Sequence, residues 1–161
     1  MPNQNNEISC NLITPKWLSA NLARLKELED DWVMTRQGRW IKSQYLQDLP
    51  DKWALSSFAM IRATIVGYLI ASRDPIEQTL SRVHKIVVDK KMYRRGIGCT
   101  LMLDYFDRCS NHGIVDFELK AMADYSVANS FYRKLGYNLT GVNIGNDGEL
   151  RNIYKRSTAI D

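Results

Sequence analysis

The stretch Val83-His84-Lys85-Ile86-Val87-Val88 passes through Asp89-Lys90-Lys91 into Arg94-Arg95-Gly96-Ile97-Gly98, after which Leu101, Met102, Tyr105 and Phe106 keep helical spacing. A β-branched run, a glycine turn and an amphipathic helix in that order dictate a strand that hands over to a helix through a tight loop. The helix can serve as a crossover, so the next strand-like run, Ile114 to Ala121, can pair in parallel with the first. The loop itself suits an anion. The first N–H groups of a helix lack internal partners, the dipole is positive there, and glycine at 96 and 98 lets the backbone approach a phosphate closely. Lys90, Lys91, Arg94 and Arg95 add positive charge to the same turn. A plain strand-to-helix turn with solvated basic side chains would read the same way, and the turn by itself does not separate the two.

The rest of the chain arranges itself around this unit. Ile8 to Leu12 alternates as a half-buried strand, and Thr14-Pro15 caps a helix that carries Leu18, Leu22, Leu25 and Leu28 on one face and ends near Asp30. A second helix is predicted from Ile41 to Leu49, stopped by Pro50. Leu55 to Ile61 and Thr64 to Ser72 read as a hairpin about Arg62-Ala63. Gly113 closes the helix that opens at Ile97. Val127, Ala128, Phe131, Tyr132 and Leu135 make a last helix ended by Gly136, and Tyr137 to Val142 pairs with Leu150 to Lys155 around Gly145-Asn146-Asp147-Gly148. The order β-α-α-β-β-β-α-β-α-β-β is that of a mixed α/β domain.

Composition narrows the classes. A chain of 161 residues can bury one real core, and 45% hydrophobic with 25% charged residues is unlike disordered, collagenous or coiled-coil sequences. One domain over 1–161 is expected. No run reaches the roughly 18 apolar residues of a membrane span, and MPNQNNEISC lacks the regions of a secretory signal, so a soluble, cytoplasmic protein is expected. Cys10, Cys99 and Cys109 form no CxxC pair and read as reduced thiols; His84 and His112 are too few and too far apart to suggest zinc, so no metal is expected. The net charge of +4 is weak evidence for nucleic acid. Neither a GxxxxGK[ST] loop nor a GxGxxG fingerprint occurs, since Gly96-Ile97-Gly98 continues as Cys99-Thr100-Leu101.

Two separated motifs carry a family resemblance. Ile86-Val87-Val88 followed by Tyr93-Arg94-Arg95-Gly96-Ile97-Gly98 resembles the acetyl-CoA loop of the GNAT family of N-acetyltransferases, and Ala128-Asn129-Ser130-Phe131-Tyr132-Arg133-Lys134-Leu135-Gly136-Tyr137 resembles that family's second motif. Tyr93 replaces the usual Gln or Arg, and Tyr125 stands where many members carry asparagine. The resemblance covers nearly the whole chain, with the motifs inside about 82–142. It implies an acyl-CoA N-acyltransferase fold, a mixed sheet of about seven strands flanked by helices and splayed between the fourth and fifth. Acetyl-CoA is the implied donor, and the acceptor is a primary amine on a small molecule, an amino sugar, or a protein or peptide.

Site residues follow from the same resemblance. Pantetheine is expected to pair with the backbone of Ile86, Val87 and Val88 as an added strand, with the Val88 amide polarising the thioester carbonyl. Tyr93, Arg94, Arg95, Gly96, Ile97, Gly98 and Cys99 are expected at the diphosphate, with Asn129 and Tyr132 completing the donor site. Tyr132 matches the tyrosine that protonates the departing thiolate; from periodicity alone it would be a core aromatic. His84 shares a face with Ile86 and Val88 if the strand alternates regularly, and it is the candidate base; a histidine at the sheet margin without a proton-transfer role is the other reading. Glu118 is a weaker candidate. Glu27, Glu29, Asp30 and Asp31 beside Trp32 and Trp40 read as a solvated helix end with core tryptophans and are not placed in the site. A non-catalytic acyl-CoA sensor and, less well supported, a basic nucleic-acid-binding domain are the competing functions. The acyl chain, the oligomeric state and the pathway are not legible in the sequence; a homodimer is compatible with it.

Overall fold

β1 (Ile8–Leu12) lies antiparallel to β2 (Ser57–Ile61), β2 to β3 (Thr64–Arg73), and β3 to β4 (Leu80–Val88). β4 then runs parallel to β5 (Asp116–Met122), and β7 (Leu150–Ser157) and β6 (Asn138–Ile144) complete one sheet in the order β1-β2-β3-β4-β5-β7-β6. The structure is a computed structural model that describes residues 7–32 and 38–158. Its helices are α1 (Pro15–Asp30), α2 (Lys42–Leu46), α3 (Lys52–Leu55), α4 (Ile97–Asn111) and α5 (Ser126–Lys134).

The helices cover the sheet from opposite faces. Thr14 caps α1, its Oγ1 accepting the Trp17 N–H at 3.1 Å, with Pro15 in the first turn. Leu18, Leu25 and Leu28 are then fully buried against Tyr68, Ile70 and Val87, each contributing about 1.5–3 kcal/mol. α4 buries Ile97, Leu101, Met102, Tyr105 and Cys109 on the other face, against Val66, Leu69, Ala71 and Val83. The turn after α4 reaches Gly113 at φ 70°, and the one after α5 reaches Gly136 at φ 88°, the left-handed geometry expected at both helix ends.

Three expectations need correction. The second helix is shorter than Ile41 to Leu49, and α3 follows it, so the strand expected from Leu55 starts at Ser57. The cause is Lys52, a buried lysine whose Nζ donates to Tyr45 O at 2.6 Å and Gln47 O at 2.5 Å. It satisfies the open end of α2 from inside, which an amphipathic pattern does not register. The strand read from Val83 already begins at Leu80, and it is irregular: Ile70 pairs with Lys85 but Ala71 with Val83, leaving His84 as the extra residue of a β-bulge. The strand read from Ile114 starts at Asp116, with Ile114 buried in the connection.

Candidate active site

The parallel strands part company early. β4 and β5 pair only through Leu80–Arg82 and Asp116–Glu118, and the last rung carries an ion pair, Arg82 Nε to Glu118 Oε1 at 3.1 Å. Beyond it the side of β4 turned from β3, from Val83 to Val88, has no strand partner among the described residues and faces a gap. The Asp89 N–H donates to Val66 O at 2.7 Å, and a Cβ on Gly67 would stand 2.9 Å from Val87 O. Val87 therefore bonds toward β3, which accounts for glycine at 67, and the alternation of the ladder turns the N–H and C=O of Ile86 and Val88 into the gap.

At the far end of that edge the chain forms an anion cradle. Asp89, only 6% exposed, accepts the Lys91 N–H at 3.0 Å and pairs with Arg24 of α1 at 3.1 Å. Arg24 in turn donates to Ile65 O at 2.9 Å, so the loop starts from a point fixed to both α1 and β3. Arg94 (φ 63°) and Gly96 (φ 79°) are left-handed. The amides of residues 94–99 donate to no acceptor among the described residues; the first helical bond is Thr100 N–H to Gly96 O. Gly98 has little room, since a Cβ there would lie 3.3 Å from Phe131 Cζ on α5. Six consecutive free amides at a helix N-terminus fit a diphosphate. The basic side chains diverge: Lys90 Nζ reaches Asp31 O at 3.2 Å, Arg94 lies over the Tyr93 ring, and Arg95 lines a hollow with Ile8, Ile61 and Met92.

Tyr132 of α5 packs among Phe131, Tyr137 and Tyr154, yet its hydroxyl has no hydrogen-bond partner among the described residues. Burial holds its phenol well above the ordinary range, so it stays protonated. Asn129 is fully engaged: Nδ2 donates to Met122 O and Tyr125 O at 2.9 and 2.7 Å, and Oδ1 accepts from Asn152 and Tyr154. It fastens the start of α5 to β5 and β7.

The bulge changes the position of His84. Ile86 and Val88 pack toward α4, whereas Lys85 meets Glu29 of α1 and Val87 belongs to the α1 core. His84 falls beside Lys85, its Nε2 2.7 Å from Oγ of Ser72, a residue in phase with Tyr68 and Ile70. Regular alternation had put it with Ile86 and Val88; the extra residue puts it on the α1 face instead. There its side chain stays partly exposed, while desolvation of the ring, then the charges of Arg82 and Lys52, hold its pKa below the usual histidine value and favour the neutral ring. Glu118 is bound to Arg82 and Lys155.

The acidic run at the end of α1 also departs from expectation. Glu29 is 1% exposed and accepts the Trp40 N–H at 3.0 Å while pairing with Lys85, so only part of the run is solvated. Trp32 is no ordinary core residue, because its Nε1 donates to Val88 O at 2.6 Å, on the edge facing the gap. Trp32, Asp89 and Arg24 are the residues sequence reasoning missed. An Asx turn ahead of Lys90-Lys91 could have revealed Asp89; nothing in the pattern of α1 marks Arg24 or Trp32.

Comparison with known proteins agrees with this geometry. The chain is similar in structure to Ard1 from Thermoplasma volcanium, with a TM-score of 0.78 at 18% identity, over 95% of this chain and 99% of that one. It is similar to Arabidopsis thaliana Naa50 in complex with a bisubstrate analogue, CoA-Ac-MVNAL, with a TM-score of 0.73 at 19% identity, over 93% and 98%. It also resembles PaiA N-acetyltransferase from Thermoplasma acidophilum in complex with coenzyme A, with a TM-score of 0.67 at 16% identity, over 94% and 99%. At such identities these likenesses speak for the fold. No curated protein matches closely enough in sequence to carry an assignment. The family model described as an acetyltransferase (GNAT) domain matches residues 38–151, most of the chain. The sheet that opens between β4 and β5 is thus that of a GNAT acetyltransferase, the family to which this chain belongs, and its activity is acetyl-CoA-dependent N-acetyl transfer.

Proposed function

We propose that the chain, residues 1–161, works as one catalytic domain that receives acetyl-CoA along the open edge of β4 and an amine from the α1 face. The observation that carries this reading is the run of free amides at 94–99, placed where the edge of Ile86 and Val88 ends. Ile86 offers its N–H and C=O to the pantetheine amides, and the Val88 N–H polarises the thioester carbonyl, while Val88 O holds Trp32. Arg94 to Cys99 hold the diphosphate through the backbone, and Tyr93 marks the boundary between the two.

His84 and Tyr132 divide the proton work from opposite faces of the sheet. With Nε2–H donated to Ser72 Oγ, the His84 Nδ1 lone pair takes a proton from the acceptor's ammonium, directly or through water, and frees the amine lone pair for attack. The amine nitrogen bonds to the carbonyl carbon, the C–S bond breaks, and the second N–H proton leaves the nitrogen as the sulfur takes one from the Tyr132 hydroxyl, the released proton restoring the phenol through water. A phenol raised by burial is a poor bulk acid, so the proton moves only late, along a hydrogen bond that strengthens as charge gathers on sulfur. Asn129 serves the donor site by fixing α5.

The acceptor is an amine on a small molecule, an amino sugar or a peptide; similarity to Naa50, solved with a peptide-bearing analogue, supports including peptide termini. A cytoplasmic setting accords with the reduced cysteines and with the lack, among the described residues, of a helix long and apolar enough to cross a membrane. No metal is assigned a part. The decisive experiment measures thiol release from acetyl-CoA against a panel of amines, amino sugars and short peptides. Turnover with any acceptor is the expected result. A CoA-dependent rise in melting temperature without thiol release across the panel would favour an acyl-CoA sensor, and salt-sensitive oligonucleotide binding without either would favour the nucleic-acid reading.

A further inference from the structure

The sheet ends in a strand that the helices leave bare. β6 is its outermost strand, and the side of β6 turned from β7 has no strand partner among the described residues. Leu139 stands opposite Tyr154 and Val142 opposite Asn152, the two β7 residues whose side chains reach Asn129 of α5. A bulge at Thr140 puts Leu139 on the same face as Val142, and Ile144, opposite Leu150, continues the row. The cover of α5 stops at β7, however, and Leu139, Val142, Ile144 and Leu150 are between 45% and 69% exposed. A folded domain seldom gathers four large apolar side chains in one exposed row unless something covers them.

The edge itself is unguarded. From Gly141 to Ile144 it reads Gly-Val-Asn-Ile, with none of the lysines or prolines that keep a free edge from pairing. Charge collects instead at the two ends of the hairpin. Arg133 and Lys134, exposed at the end of α5, precede the strand. Past its far end lie Glu149, in the β6–β7 turn, and Asp124, whose neighbour Ala123 donates to Leu150 O at 3.0 Å; both acids are exposed. Arg151 at that end is already matched by Asp147 at 2.6 Å, as Lys155 at the other is by Glu118 at 3.6 Å. The edge therefore has a positive start and a negative finish.

An identical strand fits such an edge in one direction. Laid antiparallel about a two-fold axis, a second β6 sets its negative finish beside the positive start of the first, and does so twice, whereas a parallel copy sets like charges together. Side chains directly opposite in an antiparallel pair share a face, so Val142 and Ile144 of the two copies meet and cover one another. The operation closes on itself, and both chains lose a free edge. We propose that the partner of this face is a second copy of the chain, joined by antiparallel β6–β6 pairing so that the two seven-stranded sheets run on as one. β7 and β5 stand between β6 and the gap, so the pairing leaves the edge of β4 open.

The test is the mass of the full chain in solution, by sedimentation equilibrium and light scattering from micromolar to millimolar concentration. Twice the chain mass is expected, with amide exchange across 141–144 slowing as concentration rises. Val142→Asp puts a charge between the joined faces and should raise the dimer dissociation constant about a hundred-fold, with a circular dichroism spectrum like that of wild type. The pair Arg133→Glu and Lys134→Glu should weaken the dimer roughly ten-fold, and Glu149→Lys should act in the same direction. All three charge reversals together should recover most of the loss, because opposite signs again face one another. Should Val142→Asp misfold, the reversals, made on exposed side chains, decide the matter alone. A chain that stays monomeric throughout, an assembly that grows beyond two copies, a dimer indifferent to these substitutions, or a triple reversal no better than its parts overturns the proposal.

Discussion

The two sides of the gap, proposed to take the donor and the acceptor, are built from different materials. From Ile86 to Cys99 the chain offers main-chain groups: the edge of β4, two left-handed residues at 94 and 96, and six amides without partners among the described residues. Their positions are secured by buried charge and aromatic contacts, Asp89 with Arg24 and Trp32 with Val88 O. On the α1 face the groups are side chains set by packing, His84 on Ser72, Glu29 between Lys85 and Trp40, and Glu118 between Arg82 and Lys155. Main-chain recognition tolerates almost any side chain, provided glycine stands where the backbone must turn or come close. Side-chain recognition has no such fixed letters, so the acceptor is the less legible partner.

Substitutions can break or sharpen that contrast. The largest effect is expected from Tyr132→Phe, which removes the hydroxyl proposed as the proton donor to the leaving sulfur; kcat should fall about a hundred-fold with little change in the KM for acetyl-CoA. A kcat within two-fold of wild type, measured by thiol release, would remove Tyr132 from the mechanism. Next comes Gly98→Leu, which drives a side chain into Phe131 at the cradle and should weaken CoA roughly 10- to 100-fold; isothermal titration showing unchanged affinity would mean that the amides are not the anchor. Asp89→Ala leaves Arg24 and the Lys91 amide without their partner. It should cost about 2 kcal/mol in urea unfolding and raise the donor KM, while any acceptor's KM moves less.

The smallest effect belongs to His84→Gln, which can keep a bond to Ser72. If His84 is the base, the acidic limb of the kcat/KM profile flattens in the variant; an unaltered limb assigns the proton to another group. Stability carries the same signature. Because the folded-state pKa is lowered, the unfolded chain binds the proton more readily, so stability is full at neutral pH and declines as pH falls through about 6.5. Melting curves at pH 5 and 7 should show a smaller difference in the variant than in wild type.

The strand–loop–helix at 83–106 was readable because β-branching, two glycines and helical spacing are local properties, and they kept their meaning in the fold. α2 and α3 were not readable in their true extents, since a buried lysine closes one helix on carbonyls that no hydrophobic period predicts. His84 was recognised as a candidate, but a single extra residue in β4 turned it to the other face, and a bulge depends on the partner strand as much as on its own letters. The motif marks Asn129 for the donor site, and only the fold shows that its amide ties α5 to β5 and β7.

Local letters were therefore enough for the element order, the anion-binding turn and the family, because each depends on backbone geometry that nearby residues enforce. Tertiary packing alone decided which groups meet at the gap. Trp32 reaches Val88 across 56 positions of chain and Arg24 reaches Asp89 across 65, and contacts at such separations arise only after the core has fixed the distance between α1 and β4.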